Sequence, residues 1–422
     1  MAGKVQSVKG TRDLLPPETA MWAAVEETAR RVFAGYGYAE IRTPVFEETE
    51  LFVRGVGEAS DIVGKEMYSF TDKGGRSLTL RPENTAAVAR AYIEHGMQSW
   101  PHPVRLYYIG PQFRYERPQK GRYRQFHQIG AELIGDPSPE SDAELLLMLH
   151  AFLAALEFQD LVVLLNTVGD RESRVGYREA LVAYLEPQRA RLGPDSQRRL
   201  VTNPLRILDT KDPQERELLA AAPRLQDHLT EESRAHFERV REVLGERGVA
   251  HQVEPRLVRG LDYYTQVVFE IVSAGLGAQN SIVGGGAYEG LIAELGGPER
   301  YGIGFAIGED RLLEVLPEAF RRRVPAPQPV AVGVIARPST AAHARAALAV
   351  AEELRRAGVA AVADFQGRSP GSFIKWAERQ GATRVVFLGD EELATGTATV
   401  KDLRTGEQRR LPRAELVAGL KS

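Results

Sequence analysis

The sequence predicts an α+β body that carries a helical insertion and is followed by a smaller C-terminal α/β domain. In the body, strands and helices come in blocks, which is typical of an antiparallel sheet with helices packed on it. After RRRVPAPQPVAVGV (321–334), whose three prolines indicate a linker, strands and helices alternate instead. We therefore expect the body at residues 1–325, with its insertion at about 169–250, and the α/β domain at residues 326–422.

The composition excludes several classes of protein. At 422 residues and 43% apolar content, the chain can form two or three domains with proper cores. It has no cysteine, and its eight histidines show no pair at ligand spacing, so neither a structural zinc nor another protein-held metal is expected. No apolar run approaches a membrane span, and the N-terminus lacks a signal-peptide pattern. We expect a soluble, cytoplasmic protein with no membrane partner.

Charge is distributed unevenly along the chain. The net charge is −3, from 54 basic and 57 acidic residues. Residues 329–422 hold 14 basic and 10 acidic residues, which leaves 40 and 47 for residues 1–328. A mildly basic tail on an acidic body permits a nucleic-acid partner without requiring one.

The first elements of the body are an amphipathic helix at 18–37 and, in the stretch YAEIRTPVFEE (38–48), a strand that is closed at Pro44. The segment LTLRPENTAAVARAY (78–92) then ends a strand and begins a helix. Glu83 and Thr85 lie at this junction. A helix cap formed by Asn84 or Thr85 would explain the polar residues equally well.

The segment FRYERPQKGRYRQFHQIGAEL (113–133) predicts a hairpin that turns around residues 118–121. Side chains at even positions would then share one face, which would carry arginines, carboxylates and one aromatic ring. These side chains are Arg114, Glu116, Arg122, Arg124, Phe126, Gln128 and Glu132. Such a face suits a flat, anionic ligand, and the alternative is a solvated ribbon.

Two further elements complete the middle of the body. SDAELLLMLHAFLAALEF (141–158) predicts a core helix, with Ser141 and Glu144 in capping-box spacing. LVRGLDYYTQVVFEIV (257–272) predicts a strand entered through Arg259. In a pleated strand Tyr263 and Tyr264 point to opposite faces, so one ring can pack while the other faces a site. The alternative is a surface pair in which the arginine stacks on tyrosine.

Glycine is unusually frequent between residues 280 and 316. Gly284, Gly285 and Gly286 allow the backbone to pass close to a ligand. In the strand at 302–308, small residues alternate along the chain and therefore share one face. The small residues on that strand are Gly302, Gly304, Ala306 and Gly308. A bare strand face indicates either a flat ligand or close helix packing. The glycines do not form a Rossmann or P-loop fingerprint, whose glycines lie in a loop after a strand.

The tail predicts a βαβαβ order with a mostly parallel sheet and a last short helix. Its strands are expected at PVAVGVIA, VAAVADF and RVVFLG, with helices between them.

Together these stretches resemble a class II aminoacyl-tRNA synthetase, and closely the histidyl-tRNA synthetase family. The first class motif, a long helix and a strand ending in proline, resembles residues 18–44. The second motif is met by Arg114, Glu116, Arg124 and Phe126, and the third by Gly302 to Arg311. The segments RGLDYYT, GGGAYEG, LRPENTA and KGRYRQFHQ resemble stretches particular to the histidine family.

This sequence departs from the family pattern at three positions. Ala287 and Glu289 stand where the family usually has arginine and aspartate, and Asn84 stands where glycine is more common. The missing guanidinium at 287 changes the hydrogen bonding expected of that loop.

The resemblance implies activation of L-histidine by ATP and transfer of the acyl group to the 3′ end of tRNA(His). It places Arg114 on the α-phosphate, Glu116 on the adenine amino group and Phe126 against the adenine face, with the bare strand on the other side. Arg124 and Arg311 would hold the outer phosphates, accompanied by Mg²⁺, and Arg259 would be catalytic beside the α-phosphate.

For histidine, the resemblance implies that Glu83 and Thr85 bind the α-amino group and that Gln128 orients the carboxylate. The imidazole would be bound by Glu132 and Tyr264, with Tyr263 and Tyr288 in the same pocket. The resemblance also implies an anticodon-binding role for the tail and a homodimer formed through residues 18–44. One alternative is a non-catalytic, histidine-sensing regulatory subunit of a biosynthetic enzyme, and another is an RNA-binding or signalling module with a decayed core.

Overall fold

The computed structural model describes residues 4–57, 60, 62–117, 121–210, 212–258, 263–273, 281–324, 328–336 and 338–421. The chain divides into two compact units, Met1–Arg321 and Arg322–Ser422, which we call the body and the tail domain. In the described ranges, no helix is long and apolar enough to cross a membrane.

The strands of the body are β1 (Ala39–Glu40), β2 (Phe46–Glu48), β3 (Tyr68–Thr71), β4 (Ser77–Leu80), β5 (Val104–Phe113), β6 (Gln125–Ile134), β7 (Leu161–Thr167), β8 (His251–Val253), β9 (Tyr264–Ser273), β10 (Ser281–Tyr288) and β11 (Gly302–Gly308). Its helices are α1 (Glu18–Gly35), α2 (Thr49–Val56), α3 (Thr85–Glu94), α4 (Pro139–Ala155), α5 (Arg171–Leu185), α6 (Pro194–Thr202), α7 (Pro213–Leu219), α8 (Glu231–Glu246), α9 (Leu291–Glu294) and α10 (Glu309–Glu314). Helix α11 (Glu318–Arg323) runs across the division between the two units.

Within the described residues, the centre of the body is an eight-stranded sheet in the order β1-β5-β6-β11-β10-β9-β7-β8. Its central pairs are antiparallel, and only the edge pairs β1–β5 and β7–β8 are parallel. A separate sheet has the order β2-β4-β3. The predicted α+β body with an antiparallel sheet is therefore confirmed.

One face of the large sheet is closed by helices α1 and α4. Phe33 of α1 lies at its centre, with its ring 5.4–5.9 Å from the rings of Tyr107, Phe152 and Phe305. The other face of β6 carries the even-numbered side chains. The register places Gln112 opposite Phe126 and Gly110 opposite Gln128, which agrees with the shared face predicted for the hairpin.

The strand predicted to close at Pro44 is shorter than expected, because β1 ends at Glu40. Strands β1 and β2 belong to different sheets, and the chain between them has no regular pairing. The buried guanidinium of Arg81 explains the break, because its Nη1 donates to the carbonyl oxygens of Thr43 (2.9 Å) and Pro44 (3.3 Å). Pro44 also lacks the N–H that a continuous strand would need.

The predicted cap of the core helix is also wrong. Helix α4 starts at Pro139, and Ser138 is the capping residue, with its Oγ accepting from the Ser141 N–H at 3.3 Å. A proline is favoured at the first helical position because its φ is already helical. Ser141 instead donates its hydroxyl to Asp136 at 2.7 Å.

The insertion is helical, as predicted, and consists of α5 to α8 with short 3₁₀ turns between them. It builds a core around Tyr177, Leu181 and Leu185, although its sequence is highly charged. Two polar contacts connect it to α4. Arg239 Nε donates to Glu140 at 2.8 Å, and His236 Nε2 lies 2.8 Å from the buried Asp142.

The tail domain contains β12 (Val330–Val334), α12 (Ala341–Arg356), β13 (Ala361–Asp364), α13 (Pro370–Arg379), β14 (Arg384–Leu388), α14 (Asp390–Thr395), β15 (Thr397–Asp402), β16 (Gln408–Pro412) and α15 (Leu416–Lys421). In the described part its sheet has the order β13-β12-β14-β15-β16. The predicted α/β alternation is confirmed, but the sheet is less parallel than expected, because β15 and β16 add an antiparallel hairpin at one edge.

Candidate active site

A cavity of about 140 Å³ opens on the face of the large sheet that α1 and α4 leave free. The start of α3 and strands β5, β6, β9, β10 and β11 supply its walls. It is lined by Glu83, Thr85, Tyr108, Arg114, Gln128, Glu132, Tyr263, Tyr264, Gly284, Gly286, Tyr288, Gly304, Phe305 and Ala306. All seven residues predicted to bind histidine are in this set, together with Arg114.

The first turn of α3 is capped by Glu83. Its carboxylate accepts the N–H groups of Thr85 (2.7 Å) and Ala86 (2.9 Å). The alternative cap by Asn84 or Thr85 is therefore wrong, and Asn84 instead accepts a hydrogen bond from the Thr43 hydroxyl at 2.7 Å. Burial raises the pKa of Glu83, and the helix N–H groups oppose that rise. Glu83 is thus held in one orientation at the cavity wall.

Glu132 is the buried carboxyl at the centre of the cavity. Its Oε1 accepts from the Thr85 hydroxyl at 2.7 Å, and its Oε2 accepts from the Tyr288 hydroxyl at 3.0 Å. Burial raises the pKa of Glu132 to about 8, the charge of Glu83 adds to the rise, and the two hydroxyl donors oppose it. A carboxyl with this pKa can accept or donate a hydrogen bond near neutral pH.

The bare face of β11 is largely covered by the protein itself. A Cβ on Gly304 would collide with the Glu132 carboxylate, and one on Gly302 would collide with the Tyr288 ring. At Gly308 the same construction meets nothing within 4 Å. At Gly302 and Gly304 the space therefore holds site side chains, whereas Gly304 and Ala306 also line the cavity. The interpretation that this strand faces a flat ligand stays a prediction.

Both tyrosines of the predicted strand at 257–272 line the cavity. Tyr263 and Tyr264 have ring centroids 4.8 Å apart, and Tyr263 also makes an edge contact of 5.9 Å with Tyr288. The predicted opposite orientation is wrong because β9 starts at Tyr264, so Tyr263 lies before the pleat. Arg259, predicted to be catalytic, lies outside the described residues.

The residues predicted to bind ATP lie near the outer end of the same hairpin. The guanidinium of Arg114 lies 5.3 Å from the centre of the Phe126 ring, and its Nε donates to the Pro82 carbonyl at 2.9 Å. Arg124 packs over the Tyr115 ring at 4.0 Å. Glu116 lies 3.6 Å from Arg122. Of these predicted residues only Arg114 also lines the cavity.

Arg311 lies in the first turn of α10, directly after β11. The neighbouring Asp310 joins α10 to β6, because its Oδ2 accepts the His127 N–H at 2.9 Å. Among the described residues, no group of three or more histidine, aspartate or glutamate side chains could hold a metal ion.

The sequence did not single out Tyr108, which is buried in the cavity wall on β5. Both faces of β5 are apolar, so periodicity gave no signal for this residue. Ala287, the departure from the family pattern, is fully buried on β10 but does not line the cavity. Glu289 is exposed, and partial desolvation and the charge of Asp170 raise its pKa while Arg174 and His236 oppose the rise.

Comparisons with known proteins agree with this geometry over the whole chain. The family model of histidyl-tRNA synthetase matches residues 10–312, and that of an anticodon-binding domain matches residues 330–422. The histidine–tRNA ligase of Thermosynechococcus vestitus is 49% identical over 414 residues, which cover 98% of this chain and 96% of that protein. The histidine–tRNA ligase of Geobacillus thermodenitrificans is 48% identical over 418 residues, covering 98% and 97%.

Among solved structures, apo histidyl-tRNA synthetase from S. aureus has a TM-score of 0.82 and 38% identity, covering 99% of this chain and all of that one. The antiparallel sheet, the hairpin of β5 and β6 and the β11–α10 junction define a class II aminoacyl-tRNA synthetase. The chain belongs to the histidyl-tRNA synthetase family.

Proposed function

We propose that this protein is a histidine–tRNA ligase that activates L-histidine with ATP and transfers the histidyl group to tRNA(His). The observation that carries the proposal is the buried Glu132, bound by Thr85 and Tyr288, in a cavity whose wall includes Arg114. In this proposal a selective acceptor for an imidazole would lie next to a permanent cation for a phosphate.

Histidine would enter with its imidazole N–H donating to Glu132 and with Tyr264 and Tyr288 around the ring. Glu83 and Thr85 would hold the α-amino group, and Gln128 the carboxylate end. A buried polar site of this kind rejects apolar side chains of similar size, because its hydrogen-bonding groups would stay unpaired.

ATP would bind on the outer half of the hairpin. Glu116 would accept from the adenine amino group and Phe126 would stack on the ring. Arg124 and Arg311 would hold the outer phosphates, and Mg²⁺ would enter on the triphosphate as part of the substrate. Arg114 borders both subsites, since it lines the histidine cavity and lies 5.3 Å from the Phe126 ring.

In the first step the histidine carboxylate attacks the α-phosphorus and pyrophosphate leaves. In the second step a hydroxyl at the 3′ end of the tRNA attacks the carbonyl carbon and AMP leaves. Neither step needs a nucleophile from the protein, so catalysis rests on holding the reactants in line and on neutralising charge at phosphorus. We assign the latter role to Arg114 and, from its sequence position, to Arg259.

The rest of the assignment follows the family. The tail domain would bind the anticodon arm, two chains would pair through residues 18–44, and the protein would work in the cytoplasm. Sedimentation at micromolar concentration tests the pairing, and a mass of one chain would contradict it.

Charging of tRNA(His) with labelled histidine tests the proposal against the regulatory alternative. We expect acid-stable label on the tRNA that depends on ATP and is released by mild alkali. A histidine-sensing subunit would bind histidine but leave the tRNA unlabelled, and that result would overturn the proposal.

A further inference from the structure

Residues 4–17 form an N-terminal segment that packs against Arg124, the residue directly before β6. The carbonyl oxygen of Gly10 accepts the Arg124 N–H at 2.7 Å, and that of Lys9 accepts from the Arg124 guanidinium at 3.4 Å. Residues before the first helix therefore fix both the backbone and the side chain of Arg124.

Arg12 connects this segment to the start of α10. Its Nη1 donates to Glu18 at 2.9 Å and its Nη2 donates to Asp310 at 3.1 Å. The guanidinium also lies 4.7 Å from the centre of the Tyr123 ring, the residue directly before Arg124. The side chain of Arg12 thus contacts the first residue of α1, the approach to β6 and the first turn of α10.

Asp310 completes the connection from the other side. Its side chain is only 6% exposed, and its second oxygen accepts the His127 N–H at 2.9 Å. Burial alone would raise the pKa of Asp310, but hydrogen bonds from His127 and Arg12 hold it below its ordinary value. Asp310 is therefore a charged link between β6 and α10, and the next residue along the chain is Arg311.

We infer that Arg12 is a positioning residue that sets the spacing between Arg124 and Arg311, and through them the site for the outer phosphates of ATP. The inference rests on the proposed function, which gives those two arginines their ligand. Arg12 itself does not need to touch ATP, because both arms of its guanidinium are bonded to Glu18 and Asp310. Small displacements of groups that hold a reactant can weaken its binding strongly.

The test is calorimetric titration of the full-length protein with MgATP and, separately, with histidine. We expect Arg12→Ala to weaken ATP binding by about tenfold, with the dissociation constant for histidine unchanged, since the histidine cavity has no contact with Arg12. Arg12→Lys should recover part of the loss, because it keeps the charge beside Asp310 but not the two-armed geometry. Titration is informative whether or not the protein catalyses the proposed reaction.

Arg239→Ala is the control, since it removes an arginine that also pairs with a carboxylate on another element, Glu140 at 2.8 Å, away from the hairpin. Asp310→Asn provides a second variant if Arg12→Ala folds poorly, and it should give the same selective loss of ATP affinity. Equal weakening of ATP and histidine binding would reduce Arg12 to a general stabilising contact and overturn the inference. An ATP affinity like that of the Arg239→Ala control would also overturn it.

Discussion

In the proposed function, one side chain, Glu132, serves both structure and selectivity. Its two oxygens are already bonded to Thr85 and Tyr288, which fixes the direction in which the remaining acceptor positions point. Because the donors are hydroxyls and not cations, they stabilise the ionised form only partly, and the pKa of Glu132 stays at about 8. The acceptor strength of the cavity should therefore depend on pH near neutrality.

We predict that kcat/KM for histidine rises between pH 7 and 9, where the free imidazole is mostly neutral. Below its pKa of about 8 Glu132 carries a proton, and above it the carboxylate accepts the imidazole N–H more strongly. Glu132→Gln should flatten this part of the profile and lower kcat/KM by roughly 10–10².

Tyr288→Phe is the companion variant. Its hydroxyl lowers the pKa of Glu132, so removing it should move the inflection to higher pH without abolishing it. A wild-type profile that is flat over this range, or one shared by Glu132→Gln, would show that Glu132 does not titrate in the cavity.

Arg259 lies outside the described residues, and its role remains a prediction from the sequence. A rigid, permanently charged guanidinium suits an α-phosphate whose charge grows in the transition state. Arg259→His should lower the rate of adenylate formation by roughly 10²–10³, with little change in substrate affinity and much less effect on transfer from preformed adenylate. Rapid quench measurements of the two steps check this, and a defect confined to the KM for histidine would reassign Arg259 to binding.

At the scale of elements, the sequence predicts well wherever a regular period decides the outcome. The even-numbered face of β6 follows from the two-residue repeat, and this is why Gln128 and Glu132 could be placed together in advance. The predictions failed where a distant side chain intervenes. Arg81 takes the carbonyl oxygens of Thr43 and Pro44, and nothing in the local sequence of that segment indicates it.

Two other positions depend on tertiary packing in the same way. The bare strand face indicated either a flat ligand or close packing, and at Gly302 and Gly304 the space is taken by Tyr288 and Glu132, which come from other strands. Tyr263 and Tyr264 both reach the cavity because β9 begins at Tyr264, inside the strand predicted at 257–272, so Tyr263 lies before the pleat. Propensity and period do not encode where a strand starts or which neighbour fills a space.

Helix α10 carries a carboxyl that the proposed chemistry does not use. Glu309 is fully buried, and neither oxygen has a hydrogen-bond partner among the described residues. Burial raises its pKa to about 9, with the charges of Glu26 and Asp310 adding to the rise and Arg30 opposing it. In the unfolded chain this carboxyl loses its proton at about pH 4.5, whereas in the folded protein it keeps the proton up to about pH 9. The free energy of unfolding therefore falls as pH rises from 4.5 to 9.

We predict that Glu309→Leu raises the melting temperature, by roughly 2–8 °C at pH 8–9 and by less at pH 5. The reason is that leucine has no ionisation cost in an apolar site. Glu314→Gln on the same helix is the control, since its side chain is exposed and should show no such dependence. Melting curves that show the same difference at pH 5 and pH 9 would contradict the assignment of a buried, protonated carboxyl.

At the scale of the whole molecule, each compact unit has cores of its own. In the tail domain one core lies between the sheet and helices α12 and α15, and another lies around Phe373 of α13. Among the described residues, those that line the candidate cavity all belong to the body. Activation and tRNA recognition should therefore be separable.

We predict that deleting residues 329–422 leaves adenylate formation largely intact while weakening tRNA charging. The reason is that the deletion removes the proposed anticodon contacts but no residue of the cavity. Exchange of pyrophosphate and charging of tRNA should be compared on the same soluble truncation. Parallel loss of both activities would show that the domain boundary or the role of the tail is misplaced.

Histidine-dependent exchange of labelled pyrophosphate into ATP is the most direct test, because it reports the chemistry at this cavity without tRNA. We predict exchange with histidine and not with other amino acids. We also predict a large loss of exchange in Arg114→Ala, because Arg114 lines the cavity and lies beside the Phe126 ring, where the two proposed subsites would meet. Absence of exchange, or exchange supported equally by another amino acid, would contradict the proposal that Glu132 and Arg114 together select and activate histidine.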